Sequence, residues 1–145
     1  MEDRIVRAKE WTPSDTFRTE YLPRALVLLK GISSDPERNK WCLDYSIYSP
    51  CEDVFGIDNE VSWFIKASYS EGLVVKDYGE YMEHYDRNVY EAKTDWLETL
   101  SLEQLLASIA IHFRRDYHCN GSLINESIPS GAMLRLMEEL ERRTS

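Results

Sequence analysis

The chain has 145 residues, 43% of them apolar and 30% charged, a composition that is typical of a globular domain and argues against a disordered or fibrous protein. Its 17 Lys and Arg face 26 Asp and Glu, and the resulting net charge of −9 argues against direct binding to nucleic acid. A chain of this length buries one core, so we expect a single helical domain over residues 1–145, with residues 1–13 loosely packed.

The location of the protein is predicted from its cysteines and its apolar runs. No run approaches the roughly 20 apolar residues that a membrane-spanning helix needs, so we expect no membrane contact. The first residues mix both charge signs and lack the apolar middle of a secretory signal. The three cysteines are odd in number and lack CxxC spacing, which indicates reduced thiols. Together these features predict a cytoplasmic protein.

The first predicted helix begins near Ser14 or Asp15, since either side chain can accept a hydrogen bond from a free backbone N–H of the first turn. Apolar residues then recur at helical spacing until Gly31, which is placed to end the helix. Pro23 lies inside this pattern and predicts either a kink or a later start.

Residues 32–58 are predicted to form an irregular or extended connection. The segment from Trp41 to Tyr48 alternates polar and apolar residues, as a half-buried strand does. A strand needs a partner for its backbone groups, and Gly72 to Val75 is the other extended candidate. The fold is therefore either wholly helical or helical with one small two-stranded β ribbon.

Helical spacing returns at Asp58 or Asn59 and predicts a helix that ends near Gly72. Asp77 is predicted to cap the next helix, which would carry several tyrosines and end near Val89. We call this predicted element the tyrosine helix.

The C-terminal part shows the clearest helical signals. Ser101 and Gln104 form a capping box before an apolar stripe, which predicts a helix running to about His118. A short helical turn is predicted over 123–128. Pro129-Ser130-Gly131 opens a last helix, with two arginines at its negative end. The predicted fold is mostly α, with about five helices.

The negative charge is concentrated in the middle of the chain. Residues 44–103 hold 14 acidic and four basic residues, a net charge of −10, whereas the flanking regions are nearly neutral. One interpretation is a solvated acidic surface. The other is a contact face that binds a protein partner, for which a basic partner fits, and its candidate residues are Tyr78, Glu80, Tyr81, Glu83, Tyr85 and Asp86.

Two functions follow from that contact face. The first is a small protein-interaction module that binds another macromolecule through its acidic, aromatic-bearing surface. The second is a phage-encoded inhibitor whose acidic face imitates nucleic acid and blocks a host protein. The oligomeric state is left open, because the same apolar stripes can close a monomer core or a homodimer interface.

A third function centres on the polar residues at the end of the capping-box helix. Arg114, Arg115 and His118 can meet Ser130 at the start of the last helix and bind a small anion or a nucleotide, as a receptor or an enzyme. The alternative is structural, because positive charge stabilises the negative end of a helix. Metal-ligand spacings and the common catalytic motifs are missing, so no metal, cofactor or catalytic residue is assigned, and binding is favoured over catalysis.

Two segments carry a resemblance to a known family. The run from Arg114 to Leu140 combines an Arg-rich helix end, a Gly, a short apolar turn, a second Gly and a Leu-rich helix. The run from Trp63 to Tyr78 combines a helix with an extended turn. Together they resemble an uncharacterised bacterial and phage domain family of unknown function over about residues 58–142. The resemblance implies a small helical fold and a prokaryotic or phage setting, and it implies no activity.

Overall fold

The structure is a computed structural model that describes residues 4–37, 59–83, 86–118 and 122–145; the side chains at 59, 115–118 and 122–125 are not among those described. The described part is mostly helical. Its α-helices are α1 (Leu22–Ser33), α2 (Asn59–Ser70), α3 (Arg87–Glu91), α4 (Thr94–Leu97), α5 (Leu102–His118), α6 (Ser122–Ser130) and α7 (Ala132–Thr144). Short 3₁₀ turns cover Ala8–Glu10 and Tyr78–Glu80, and a π-helical turn covers Phe17–Tyr21.

The entry into α1 confirms the predicted cap and the predicted effect of Pro23. The Ser14 hydroxyl accepts a hydrogen bond from the backbone N–H of Phe17 at 3.0 Å. The chain then makes its π-helical turn, and regular α-helix begins at Leu22 with Pro23 in its first turn, where no backbone N–H is needed. Gly31 does not end the helix as predicted, because α1 continues to Ser33.

Two residues of the segment 4–13 are held in the core. Ala8 and Trp11 are buried. The indole N–H of Trp11 donates to the carbonyl oxygen of Glu71 at 2.9 Å, and its ring meets that of Phe17 edge to face. The anchoring partner lies 60 residues away in the chain, so the local pattern could not indicate it.

The predicted β ribbon is not found among the described residues. Helix α2 ends as expected at Gly72, which has φ +76°, and the N–H of Leu73 turns back to the Ser68 carbonyl at 3.1 Å. Leu73 and Val75 are buried, but they belong to an irregular turn and not to a strand. The proposed partner strand from Trp41 to Tyr48 lies outside the described residues.

The prediction of the tyrosine helix is also wrong, because Asp77 does not cap a helix. The Asp77 carboxylate instead accepts a hydrogen bond from the backbone N–H of Ala8 at 2.8 Å. Between Asp77 and α3, the described residues make the short turn Tyr78–Glu80. Asp86 caps α3 by accepting from the N–H of Asn88 at 2.9 Å. One predicted helix is therefore replaced by a turn and a short helix, and α4 follows as a second short helix.

Helix α5 begins with the predicted capping box and lies at the centre of the fold. The Ser101 hydroxyl accepts from the N–H of Gln104 at 3.1 Å, and the Gln104 side chain accepts from the N–H of Ser101 at 2.9 Å. All nine residues of 105–113 are buried, which shows that other elements surround the helix on every side.

Helix α7 packs against α1, α5 and α6 and completes the core. Gly131, with φ +88°, joins α6 to α7, and the predicted apolar face of α7 is buried. Arg142 and Arg143 lie in the last turn, at the negative end of the helix as predicted. Both pair with the buried carboxylate of Glu139, and Arg143 also donates to the Leu97 carbonyl at 3.1 Å. The largest fully buried side chains are Phe17, Phe64, Leu29, Ile32, Leu73, Leu97, Leu105, Leu106, Ile109, Ile111 and Ile128.

Candidate anion-binding cleft

A cleft of about 200 Å³ lies where the N-terminal segment meets the turn after α2 and the end of α5. Three of its side chains are cations, two are tyrosines and three are aliphatic. The residues of this cation cleft are Arg4, Lys76, Arg114, Tyr69, Tyr78, Ile5, Val74 and Val75.

Two backbone hydrogen bonds hold the N-terminal side of the cation cleft in place. The N–H of Arg4 donates to the carbonyl oxygen of Tyr69 at 3.1 Å, at the end of α2. The N–H of Lys76 donates to the carbonyl oxygen of Val6 at 3.0 Å. These two bonds hold residues 4–6 against the end of α2 and the turn after it. As a result, the side chains of Arg4 and Lys76 line the same cleft.

Gly72 allows the side chain of Arg4 to lie close to the end of α2. A Cβ at position 72 would stand 3.2 Å from Cδ of Arg4 and 3.3 Å from Cδ1 of Trp11. The positive φ of Gly72 also disfavours any other residue there. The Arg4 guanidinium, held over this glycine, donates to the Thr12 carbonyl at 3.3 Å.

The charge of the cation cleft is opposite in sign to that of the whole chain. No carboxylate lines it among the residues that the structure describes. Within the same residues, the side chains of Lys76 and Arg114 form no ion pair. Arg114 is half-buried, so its charge has lost part of its water without gaining a described counter-ion. An anion in this cleft would relieve the mutual repulsion of the three cations.

A second cavity of about 560 Å³ adjoins the cation cleft and shares Lys76 and Tyr78 with it. Glu80 also lines it, so two of the predicted partner-binding residues meet there. Of the others, Tyr81 is half-buried against the core and Glu83 is exposed. Asp86 serves as the cap of α3, and Tyr85 lies outside the described residues.

Two residues of the predicted anion pocket at the start of the last helix, Ser130 and Arg114, line different cavities. Ser130 lines a different cavity, of about 440 Å³, together with Arg135 and Lys93. Its hydroxyl donates to the Ser127 carbonyl at 3.3 Å and accepts from the N–H of Ala132 at 3.3 Å, so it caps the junction of two helices. Arg114 is brought to the cation cleft instead, and the side chains of Arg115 and His118 lie outside the described residues.

Sequence reasoning missed Arg4 and Lys76. They lie 72 residues apart in the chain and 110 and 38 residues before Arg114, so no spacing rule connects them. Each stands in a segment without regular helix or strand. The net charge of the chain does not locate a cluster of cations, so no signal in the sequence indicated the site.

The buried histidine of α5 is a structural group. His112 is fully buried, and its Nε2 donates to the carbonyl oxygen of Val89 at 2.8 Å. Its Nδ1 has no hydrogen-bond partner among the described residues. Burial lowers the pKa of His112 to about 4, and the hydrogen bond to Val89 opposes this shift. Among the described residues, no group of three or more His, Cys, Asp or Glu is arranged to hold a metal ion.

The fold is that of a small, mostly α-helical domain, and its sequence places it in a family. The model of a family of unknown function, DUF6508, matches residues 38–145, and the chain belongs to that family. No curated protein and no solved structure matches the chain. In the part of the chain that the structure describes, no helix is long and apolar enough to cross a membrane.

Proposed function

We propose that this protein is a binding protein that holds a small anion, with phosphate or carboxylate chemistry, in the cation cleft. One observation carries the proposal: Arg4, Lys76 and Arg114 line one cleft without a described carboxylate, in a chain of net charge −9. These cations have no described counter-ion in a protein with an excess of acidic residues, and an anion from solution would offset their repulsion.

The chemistry of the cleft suits an oxyanion. The guanidinium groups of Arg4 and Arg114 present planar forks of N–H donors, which match phosphate and carboxylate oxygens. The ammonium group of Lys76 adds a third donor on a flexible stem, and the hydroxyl of Tyr78 can add a neutral one. Nothing in the lining supplies a nucleophile activated by a base, so the proposal is binding without catalysis.

Inorganic phosphate titrated into the protein at low salt, with the heat of binding as readout, tests the proposal. Lys76→Gln removes one charge from the cleft, and we expect it to weaken phosphate binding about tenfold. Lys30→Gln is the matched control, because Lys30 is also exposed but lines none of the cavities described above. The proposal fails if phosphate does not bind at millimolar concentration, or if both variants bind it equally.

A second candidate function is the docking of a basic segment of a protein partner on the acidic turn, which we define as Tyr78, Glu80, Tyr81, Glu83 and Asp86. The exposed carboxylates of Glu80 and Glu83, which form no ion pair among the described residues, favour it. The half-exposed rings of the two tyrosines give such a segment apolar contact beside these charges. An inhibitor that imitates nucleic acid is a special case of this docking.

A lysine-rich peptide is the probe for the acidic turn. We expect the double change Glu80→Gln and Glu83→Gln to weaken its binding at low salt, whereas Glu10→Gln with Glu20→Gln, also exposed, leaves it unchanged. Equal losses in the two double variants would show that only the net charge matters.

The cytoplasmic location proposed for the protein is supported by its odd number of cysteines without CxxC spacing.

A further inference from the structure

The cation cleft has an apolar side that a simple inorganic anion would not use. Ile5 lines the cleft and is 71% exposed. Among the described residues, the other strongly exposed large apolar side chain is Val27, which lies on α1 and does not line the cleft. One of the two strongly exposed apolar side chains therefore stands beside the three cations.

The backbone presents Ile5 in a fixed position. The hydrogen bonds made by Arg4 N–H and by the carbonyl of Val6 hold the residues on either side of it. Val6 packs against the core, whereas the neighbouring Ile5 is left exposed to solvent. The exposure of Ile5 thus follows from a held backbone and not from a free chain end.

The dimensions and the lining of the cleft fit a ligand of two parts. Its volume of about 200 Å³ is several times the ~30 Å³ that one water molecule occupies in the liquid, so there is room for atoms beyond an anionic head. Beside Ile5, the half-buried rings of Tyr69 and Tyr78 provide flat apolar surface.

The number of cations favours phosphate over carboxylate. Three positive side chains line the cleft. A phosphate monoester carries between one and two negative charges at neutral pH, because its second pKa is about 6, whereas a carboxylate carries one. The phosphate also offers three oxygens, enough for each of the three cations to receive one.

We propose that the ligand of the cation cleft is an organic phosphate monoester, whose phosphate contacts Arg4, Lys76 and Arg114 and whose apolar or aromatic group packs on Ile5 and the tyrosine rings. This inference rests on the proposed function of the cleft. It adds the class of ligand: a small phosphorylated molecule with an apolar part, as distinct from free phosphate or a simple carboxylate.

Three probes separate the inference from the proposed function: inorganic phosphate, phenyl phosphate and benzoate, each titrated calorimetrically into the full chain. We expect phenyl phosphate to bind about tenfold more tightly than phosphate, because its ring buries apolar surface. We expect benzoate to bind more weakly than phenyl phosphate, because it has one charge and two oxygens. Lys76→Gln should weaken phosphate and phenyl phosphate alike.

Ile5→Ser and Val27→Ser form a matched pair of variants, since both side chains are about equally exposed, at 71% and 73%, and their loss should not impair folding. Ile5→Ser should remove most of the preference for phenyl phosphate over phosphate, and Val27→Ser should preserve it. If both phosphates bind equally well, or if Ile5→Ser keeps the preference, the inference is wrong while the proposed function stands. If benzoate equals phenyl phosphate, the assignment to phosphate is wrong. If none of the three probes binds, both proposals fail.

Discussion

The guanidinium of Arg135 on α7 donates to the carbonyl oxygen of Ala92 at 2.9 Å and to that of Glu91 at 2.8 Å. Ala92 follows the last residue of α3 and has a left-handed backbone, with φ 47°. The last carbonyl groups of a helix lack hydrogen-bond donors within that helix. Here one arginine from another helix donates to two of these carbonyl groups. Arg135 therefore ties the short helix α3 to the long helix α7.

Replacement of Arg135 by lysine should lower the free energy of unfolding by about 1–3 kcal/mol, because an ammonium group cannot reach both carbonyl oxygens as the planar fork does. Urea denaturation measures the change. Arg18→Lys is the control, since Arg18 is exposed and has no described side-chain partner, and it should change stability by less than about 0.5 kcal/mol. Equal effects of the two substitutions would show that the two carbonyl contacts of Arg135 contribute nothing.

Gly72→Ala should both destabilise the protein and weaken phosphate binding. A left-handed backbone costs a non-glycine residue about 1 kcal/mol, and the added Cβ would press on Arg4 and Trp11. The displaced Arg4 would then no longer be placed in the cation cleft. Denaturant melts and phosphate titration measure the two effects.

Gly79→Ala is the matched control for that experiment. A Cβ at Gly79 meets no atom within 4 Å, and this glycine is not among those with positive φ. We expect its substitution to leave both stability and phosphate affinity nearly unchanged. If Gly72→Ala lowers stability but leaves phosphate affinity intact, Gly72 does not position Arg4 for the ligand.

The buried imidazole of His112 should make the protein less stable as the pH falls. The folded protein resists protonation of His112 down to about pH 4, whereas the unfolded chain takes up this proton near pH 6.5. The contribution of neutral His112 to the free energy of unfolding is fully present above pH 6.5. It declines as the pH falls toward 4, by about 1.4 kcal/mol per pH unit and about 3 kcal/mol in all.

His112→Gln tests this relationship, because glutamine keeps an N–H donor for the Val89 carbonyl but does not titrate. The variant should lose most of the pH dependence between 6.5 and 4, whatever its stability at pH 7. The readout is the difference in slope between the two proteins in urea melts at several pH values. Identical slopes would mean that His112 is protonated in the folded protein as readily as in the unfolded chain.

Tyr21→Phe should lower the free energy of unfolding by about 1–2 kcal/mol, because it leaves a buried acceptor without its donor. The Ser68 hydroxyl gives its proton to the Phe64 carbonyl at 2.6 Å, so the Tyr21 hydroxyl, 2.6 Å away, must be the donor to Ser68. Tyr81→Phe is the control, as the Tyr81 hydroxyl has no described partner. Thermal melts compare the two variants, and an unchanged Tyr21→Phe melt would show that the bond contributes nothing.

Burial also raises the pKa of Tyr21 above its usual range, with the charge of Glu71 adding to the effect and the Ser68 bond opposing it. A phenol that stays neutral when folded loses stability as the pH rises above its unfolded pKa of about 10. The alkaline limb of the stability profile should therefore be less steep in Tyr21→Phe than in the parent protein.

The sequence predicted best those features that depend on neighbouring residues. The capping box of Ser101 and Gln104, the cap at Ser14 and the stop at Gly72 all use partners within one or two turns. The tyrosine helix shows the opposite case. Asp77 has the right chemistry for a cap, but the N–H of Ala8, 69 residues away, takes its carboxylate.

By itself, the sequence determined that this protein is mostly helical, where most of its long helices begin and end, and that its negative charge lies in the middle of the chain. The helical features follow from contacts between residues three or four positions apart, and the charge distribution follows directly from the composition. Only the tertiary structure decided that Arg4, Lys76 and Arg114 share a cleft, that Ile5 stands exposed beside them and that Ser130 lies elsewhere. Backbone bonds between distant segments place Arg4, Ile5 and Lys76, and periodicity within a segment carries no information about such bonds.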